Sequence, residues 1–178
     1  LVMNRFVCVL VLLCCVSACR SEEQVRHDVI GGLRVGEPLP ALELKDLGGQ
    51  TVTLSSFEGR AILLNLWATW CIPCLDEMPE LEELQIQYDP TVLSVVGISI
   101  DKISPLMVYA FLEENSITYT TLMADGEALL DALHLPPGIP HTILLDDKGL
   151  VSGYWRGRFH PFDPDIEALI TSTVSKQS

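Results

Sequence analysis

Cys71 and Cys74, in Cys71-Ile72-Pro73-Cys74, are the residues of this chain whose types and spacing most directly support chemistry. Side chains three apart on a helix lie one above the other, with about 5–6 Å between Cβ atoms. A small adjustment of the first turn brings two such sulfurs into disulfide range. The pair can therefore open and close without moving the fold around it. Zinc asks for four ligands, and the sequence holds neither a second C-x-x-C nor an H-x3–5-H. His27, His134 and His160 show no ligand spacing either. A purely bracing disulfide would close too short a loop to constrain much. The single-cysteine peroxidase pattern, with proline and threonine or serine ahead of the nucleophile, is absent.

The elements around the pair assign each sulfur a part. Residues 61–67 (AILLNLW) are a continuous apolar run after Gly59, the pattern of a central strand buried on both faces. A helix is expected over residues 71–88, with Leu81, Leu84 and Tyr88 as its apolar stripe and Asp89-Pro90 as its stop. A helix start offers unpaired N–H groups and the positive end of the dipole, and both stabilise a thiolate. Cys71 is thus the expected attacking sulfur, and Cys74, one turn deeper, the resolving one. Pro73 suits the first turn, where its missing donor costs nothing. Glu77 lies three residues past Cys74 on the same face. There a carboxylate would raise both thiol pKa values and could relay the resolving proton; the spacing is equally compatible with a solvated glutamate. Trp67 and Trp70 read as core and shelf aromatics.

Further along, residues 42–54 alternate around Asp46-Leu47-Gly48-Gly49 as a hairpin. Residues 92–100 form the next buried strand. Ser104-Pro105 opens a helix striped by Val108, Phe111 and Leu112. A short strand over residues 119–122 and a helix over 127–133 follow. Strands at 142–145 and 150–155 flank Asp146-Asp147-Lys148-Gly149, and residues 163–174 form a last helix. Alternating strands and helices closed by a hairpin and a helix give an α/β domain, a central mixed sheet covered on both faces.

The N-terminus reads as an address. Residues 6–18 (FVCVLVLLCCVSA) are apolar but shorter than the about 20 residues of a spanning helix. They suit a signal peptide over residues 1–18. Val16-Ser17-Ala18-Cys19 resembles the bacterial lipobox, which implies lipidation at Cys19; ordinary cleavage after Ala18 is the other reading. Residues 19–36 are polar, with Gly31-Gly32, and read as a lipid-attached tether reaching roughly 20–24 Å. Residues 37–178 are the folded domain. Eleven basic residues stand against 24 acidic ones, a net charge of −13. No cationic surface is available to phosphates, so nucleic acid is excluded as a partner. The same balance argues against electrostatic docking on anionic lipid.

With WATWCIPC, Asp76-Glu77-Met78-Pro79 and Pro137-Gly138-Ile139-Pro140-His141-Thr142 in place, the chain resembles the TlpA/ResA-type branch of the thioredoxin family. The resemblance runs from about Val35 to the last helix. It implies a thioredoxin-like fold with an added N-terminal β-hairpin and an inserted βα unit. It makes Pro140 a cis-proline facing the dithiol, with the Ile139 backbone open to a substrate strand. Asn65 stands where thioredoxin places a buried aspartate, and the family's glutamate falls on Glu77. His141 either faces the dithiol or lies at the surface.

The combined expectation is an extracytoplasmic, membrane-anchored thiol–disulfide oxidoreductase that reduces disulfides in client proteins, in cytochrome c maturation or a similar route. Its only cofactor is the Cys71–Cys74 disulfide itself. The resemblance implies a membrane thiol-disulfide transporter as electron donor. The acids Asp76, Glu77 and Glu80 disfavour the thiolate and so make the dithiol more reducing. A disulfide-introducing oxidant and a non-turnover thiol or copper-site chaperone are the alternatives.

Overall fold

Seven buried residues, Ala61–Trp67, form strand β5 at the middle of the sheet. The structure, a computed structural model, describes residues 29–30 and 32–176. On one side β5 pairs in parallel with β6 (Leu93–Ser99), and on the other it pairs antiparallel with β8 (His141–Leu145). Both β5 and β6 are covered on both faces, which is why neither run alternates. The sheet continues through β7 (Thr120–Met123), parallel to β6, and ends at β9 (Val151–Arg156), antiparallel to β8.

The expected N-terminal hairpin is present as β3 (Leu44–Asp46) and β4 (Thr51–Val52). It joins the sheet through Lys45 opposite Met123 and Asp46 opposite Leu122. Leu54, expected in its second strand, instead opens a 3-10 turn, Leu54–Phe57. The strand order is β4-β3-β7-β6-β5-β8-β9. Gly49 closes the hairpin at φ +84°, a conformation that costs glycine nothing.

Four α-helices lie on the sheet among the described residues: α1 (Ile72–Gln87), α2 (Pro105–Glu114), α3 (Gly126–Ala132) and α4 (Pro164–Ser175). Ser104 caps α2 and Asp125 caps α3, each side chain accepting a backbone N–H of the first turn. On one face Met78, Leu81 and Leu84 of α1, Val108 of α2 and Ile170 of α4 pack against Leu63 and Trp67. On the other face Leu129 of α3, with Leu133 and Leu135, packs against Ile62, Leu64 and Leu66. Successive β5 residues thus serve opposite layers, and the odd positions face the helix that carries the cysteines.

Two short strands, β1 (Val29–Ile30) and β2 (Leu33–Arg34), pair within the segment read as tether. Leu33 is buried with the α3 layer, so packing against the domain begins before residue 37. Residues 1–28, with the segment read as a signal peptide and Cys19, lie outside the described residues. No helix among the described residues is long and apolar enough to cross a membrane.

Candidate active site

The end of β5 hands over to α1 through Ala68-Thr69-Trp70-Cys71, and part-buried polar contacts fix this short link. Asp101, just past β6, accepts the Thr69 N–H at 2.9 Å and the Thr69 hydroxyl at 2.8 Å. The Ser99 hydroxyl donates to the same carboxylate at 2.9 Å. Cys71 is the N-cap of α1 with an extended backbone, and its carbonyl accepts the N–H groups of Cys74 and Leu75. Pro73 occupies the first turn.

Cys71 and Cys74 are joined, with an Sγ–Sγ distance of 2.04 Å and Cα atoms 5.2 Å apart. Cys74 is fully enclosed, while Cys71 retains 5% exposure. Access is narrower than the sequence implied, yet only Cys71 has any. Trp67 is wholly buried, whereas Trp70 and Ile72 stand 66% and 72% exposed beside the disulfide. Apolar side chains this exposed at the mouth of a reactive group suit contact with another chain.

The Ile139–Pro140 peptide is cis, and the Ile139 carbonyl oxygen lies 3.8 Å from Cys71 Sγ. His141 fits neither of its two expectations. It is buried and pairs with Leu66, on the face away from the cysteines. Its Nδ1 lies 2.8 Å from the Tyr154 hydroxyl and its Nε2 3.1 Å from the Pro136 carbonyl. It ties down the turn that carries Pro140, and burial lowers its pKa.

Glu77 is buried, not solvated. Its Oε1 accepts from Asn65 Nδ2 at 2.7 Å, and its Oε2 accepts the Phe159 backbone N–H at 2.6 Å. Burial pushes its pKa up from 4.5 to about 7. The two hydrogen bonds, and the charges of Arg158 and His160, hold it from rising further. A carboxyl poised near neutrality, one helical turn beyond Cys74, suits proton exchange with a thiol. Sequence reasoning picked out Asn65 for what it replaces. It missed what Asn65 does, and it missed Phe159, Asp101 and Thr142. A backbone N–H donor leaves no trace in residue type, and Asp101 reads as one more surface acid.

The arrangement can form and break a disulfide beside an apolar, solvent-facing rim, with a buried carboxyl one helical turn past the inner cysteine. A family model described as the AhpC/TSA family matches residues 35–153. The chain belongs to the AhpC/TSA family. This AhpC/TSA member is 34% identical over 121 residues to the thioredoxin-like protein YneN of Bacillus subtilis, an alignment covering 67% of this chain and 70% of that one. It is 32% identical over 143 residues to the thiol-disulfide oxidoreductase ResA of Geobacillus thermodenitrificans, covering 80% and 72%. Among solved structures it is similar to a thiol:disulfide interchange protein of the thioredoxin family from Chlorobium tepidum. There the TM-score is 0.64 at 25% identity, over 78% of this chain and 97% of that one. The AhpC/TSA chain described here is a thiol–disulfide oxidoreductase of thioredoxin-like fold, as its sequence led us to expect.

Proposed function

We propose that this oxidoreductase works outside the cytoplasm, held at a membrane through lipidated Cys19, and reduces disulfides in cysteine-containing client proteins. The observation that carries the reading is the Cys71–Cys74 disulfide at the start of α1, with the buried Glu77 carboxyl one turn behind it. In the reduced enzyme the Cys71 thiolate attacks one sulfur of a client disulfide. A mixed disulfide forms, and the second client sulfur leaves as a thiolate that takes a proton. Cys74 passes its proton to Glu77 and attacks Cys71 Sγ. The bond from Cys71 to the client breaks, and the remaining client sulfur leaves as a thiolate and takes a proton from water. The enzyme disulfide closes, and the client is released as a dithiol with two electrons gained. A dithiol donor then restores the enzyme; a membrane thiol-disulfide transporter is the proposed source. Cytochrome c maturation is the proposed route.

The direction rests on charge. An ionised Glu77 one helical turn past Cys74, with Asp76 and Glu80 on the same helix, disfavours the thiolate and so favours the closed disulfide. Equilibration with thiol buffers tests this. A reductant falls near the about −270 mV of thioredoxin, and an introducer of disulfides near about −120 mV. A potential at the oxidising end sinks the proposed direction. Absence of any catalysed disulfide reduction by the purified domain would favour the chaperone alternative.

A further inference from the structure

Three consecutive residues after β9, Arg158, Phe159 and His160, meet α1 together. Arg158 Nη2 lies 3.4 Å from Glu80 Oε1, and His160 Nδ1 lies 3.2 Å from Glu80 Oε2. One carboxylate therefore takes both flanking side chains, one on each oxygen. Arg158 also reaches the Asp76 carbonyl at 3.4 Å and stands 4.0 Å from the Asp76 carboxylate. Between these anchors the Phe159 ring is buried, edge-on to Trp155 at 4.9 Å, and its N–H points at Glu77. Glu77 and Glu80 are three apart on α1, so the anchor and the anchored hydrogen bond share one helix face.

We propose that Glu80 is a positioning residue: it latches the 158–160 segment onto α1 and so keeps the Phe159 N–H on Glu77. The proposal rests on the reading of Glu77 as the group that takes the Cys74 proton. Half-exposed ion pairs add little to stability. Their consequence is placement, because the donor they hold serves the charged form of a buried acid. The groups around Glu77 are Asn65 from β5, Tyr119 from the approach to β7, Arg158, Phe159 and His160 from this segment, and Cys74, Asp76 and Glu80 on its own helix.

Glu80→Gln separates the latch from simple charge. Removing a negative charge near Glu77 would by itself lower the Glu77 pKa. Releasing the latch withdraws a hydrogen-bond donor and two cationic neighbours, and that raises it. Carbon-13 titration of the glutamate carboxyls in the oxidised protein reads the sign, with Glu77→Gln identifying the signal. We expect the Glu77 midpoint to move up in Glu80→Gln, on the order of one pH unit. A midpoint that falls or stays overturns the latch. Hydrogen exchange at the Phe159 amide is the second measurement: faster exchange in Glu80→Gln supports the latch, and unchanged protection overturns it. The pH profile of thiol exchange in Glu77→Gln tests the underlying reading separately. If that profile matches the wild type, Glu77 is not the proton acceptor, and the carboxyl titration still decides whether Glu80 holds the segment.

Discussion

Asn65 Nδ2 donates to Glu77 Oε1 at 2.7 Å and to Thr142 Oγ1 at 3.1 Å. A single buried amide thus joins the strand that leads into the cysteine motif, the helix that carries it, and the strand that follows Pro140. Thioredoxin's acid at this place would have met Glu77 as a second carboxylate. The amide meets it as a donor and leaves one acid to titrate.

That acid should impose a pH dependence on stability. Glu77 has its ordinary value of 4.5 in the unfolded chain and about 7 in the folded one. The folded state therefore holds the proton more tightly. The resulting stabilisation is fully present below the unfolded value and is lost as pH rises through the folded one. The loss is on the order of 3 kcal/mol at most. Urea denaturation of the oxidised protein at about pH 5 and about pH 8 should show this fall in the wild type and a flatter profile in Glu77→Gln. His141 acts with the opposite sign. Its lowered pKa removes stability as pH falls below 6.5, and it cancels between the two proteins because both carry it. Equal slopes in wild type and variant would mean that Glu77 titrates like a surface glutamate.

Much of this arrangement was legible because long apolar runs leave few alternatives. Residues 61–67 and 92–100 could only be buried strands, and β5 and β6 follow them closely. Helix starts were legible where capping chemistry is local, as at Ser104-Pro105. Glu77 was ambiguous because Asp76, Glu80, Glu82 and Glu83 share its helix, and a sequence so acidic reads as solvated. Its burial comes from a segment 82 residues away that contributes a backbone donor. His141 was misread for a related reason. A one-residue step along β8 decides which face of the sheet a side chain meets, and the fall of that step was not visible from the proline alone.

Gly97, in the middle of β6, was silent in the sequence and gains a reason from the structure. A Cβ there would lie 2.9 Å from Trp67 Nε1 and 3.1 Å from Tyr119 Cε2. Both rings are buried, and the Trp67 ring lies 5.7 Å from that of Phe111 on α2, so neither can move aside cheaply. Gly97→Ala should cost about 1–3 kcal/mol through overpacking. Denaturation of the oxidised protein measures it, and a neutral result would show that the indole and phenol rings have room to shift.

Lipidation is tested by the mass of the mature protein. With Cys19 modified, intact-mass measurement should give a chain beginning at Cys19 and carrying a diacylglycerol adduct, and Cys19→Ser should release the protein from the membrane fraction. A mass matching the unmodified chain from Cys19 would remove the anchor. A mass that retains the apolar segment would remove cleavage as well.

The two cysteines should part company on substitution. Cys71 caps α1, borders the exposed Trp70 and Ile72, and keeps the pair's only solvent contact; Cys74 is enclosed. Attack on a client needs a thiolate with both stabilisation and access, and the helix start provides both at Cys71. Cys71→Ala should therefore abolish alkylation by a bulky reagent near neutral pH and trap no client. Cys74→Ala should keep the fast-reacting thiol and accumulate a mixed disulfide, because the sulfur that would resolve it is gone. Both variants should remain folded, since the chain-entropy model assigns roughly 2 kcal/mol to so short a loop. The core on the α3 face of β5 does not include the pair, and on the α1 face the two cysteines sit among many larger apolar side chains. Alkylation lost in Cys74→Ala and kept in Cys71→Ala would reverse the two roles. A reduced wild-type enzyme in which neither sulfur reacts would remove the catalytic assignment of the pair.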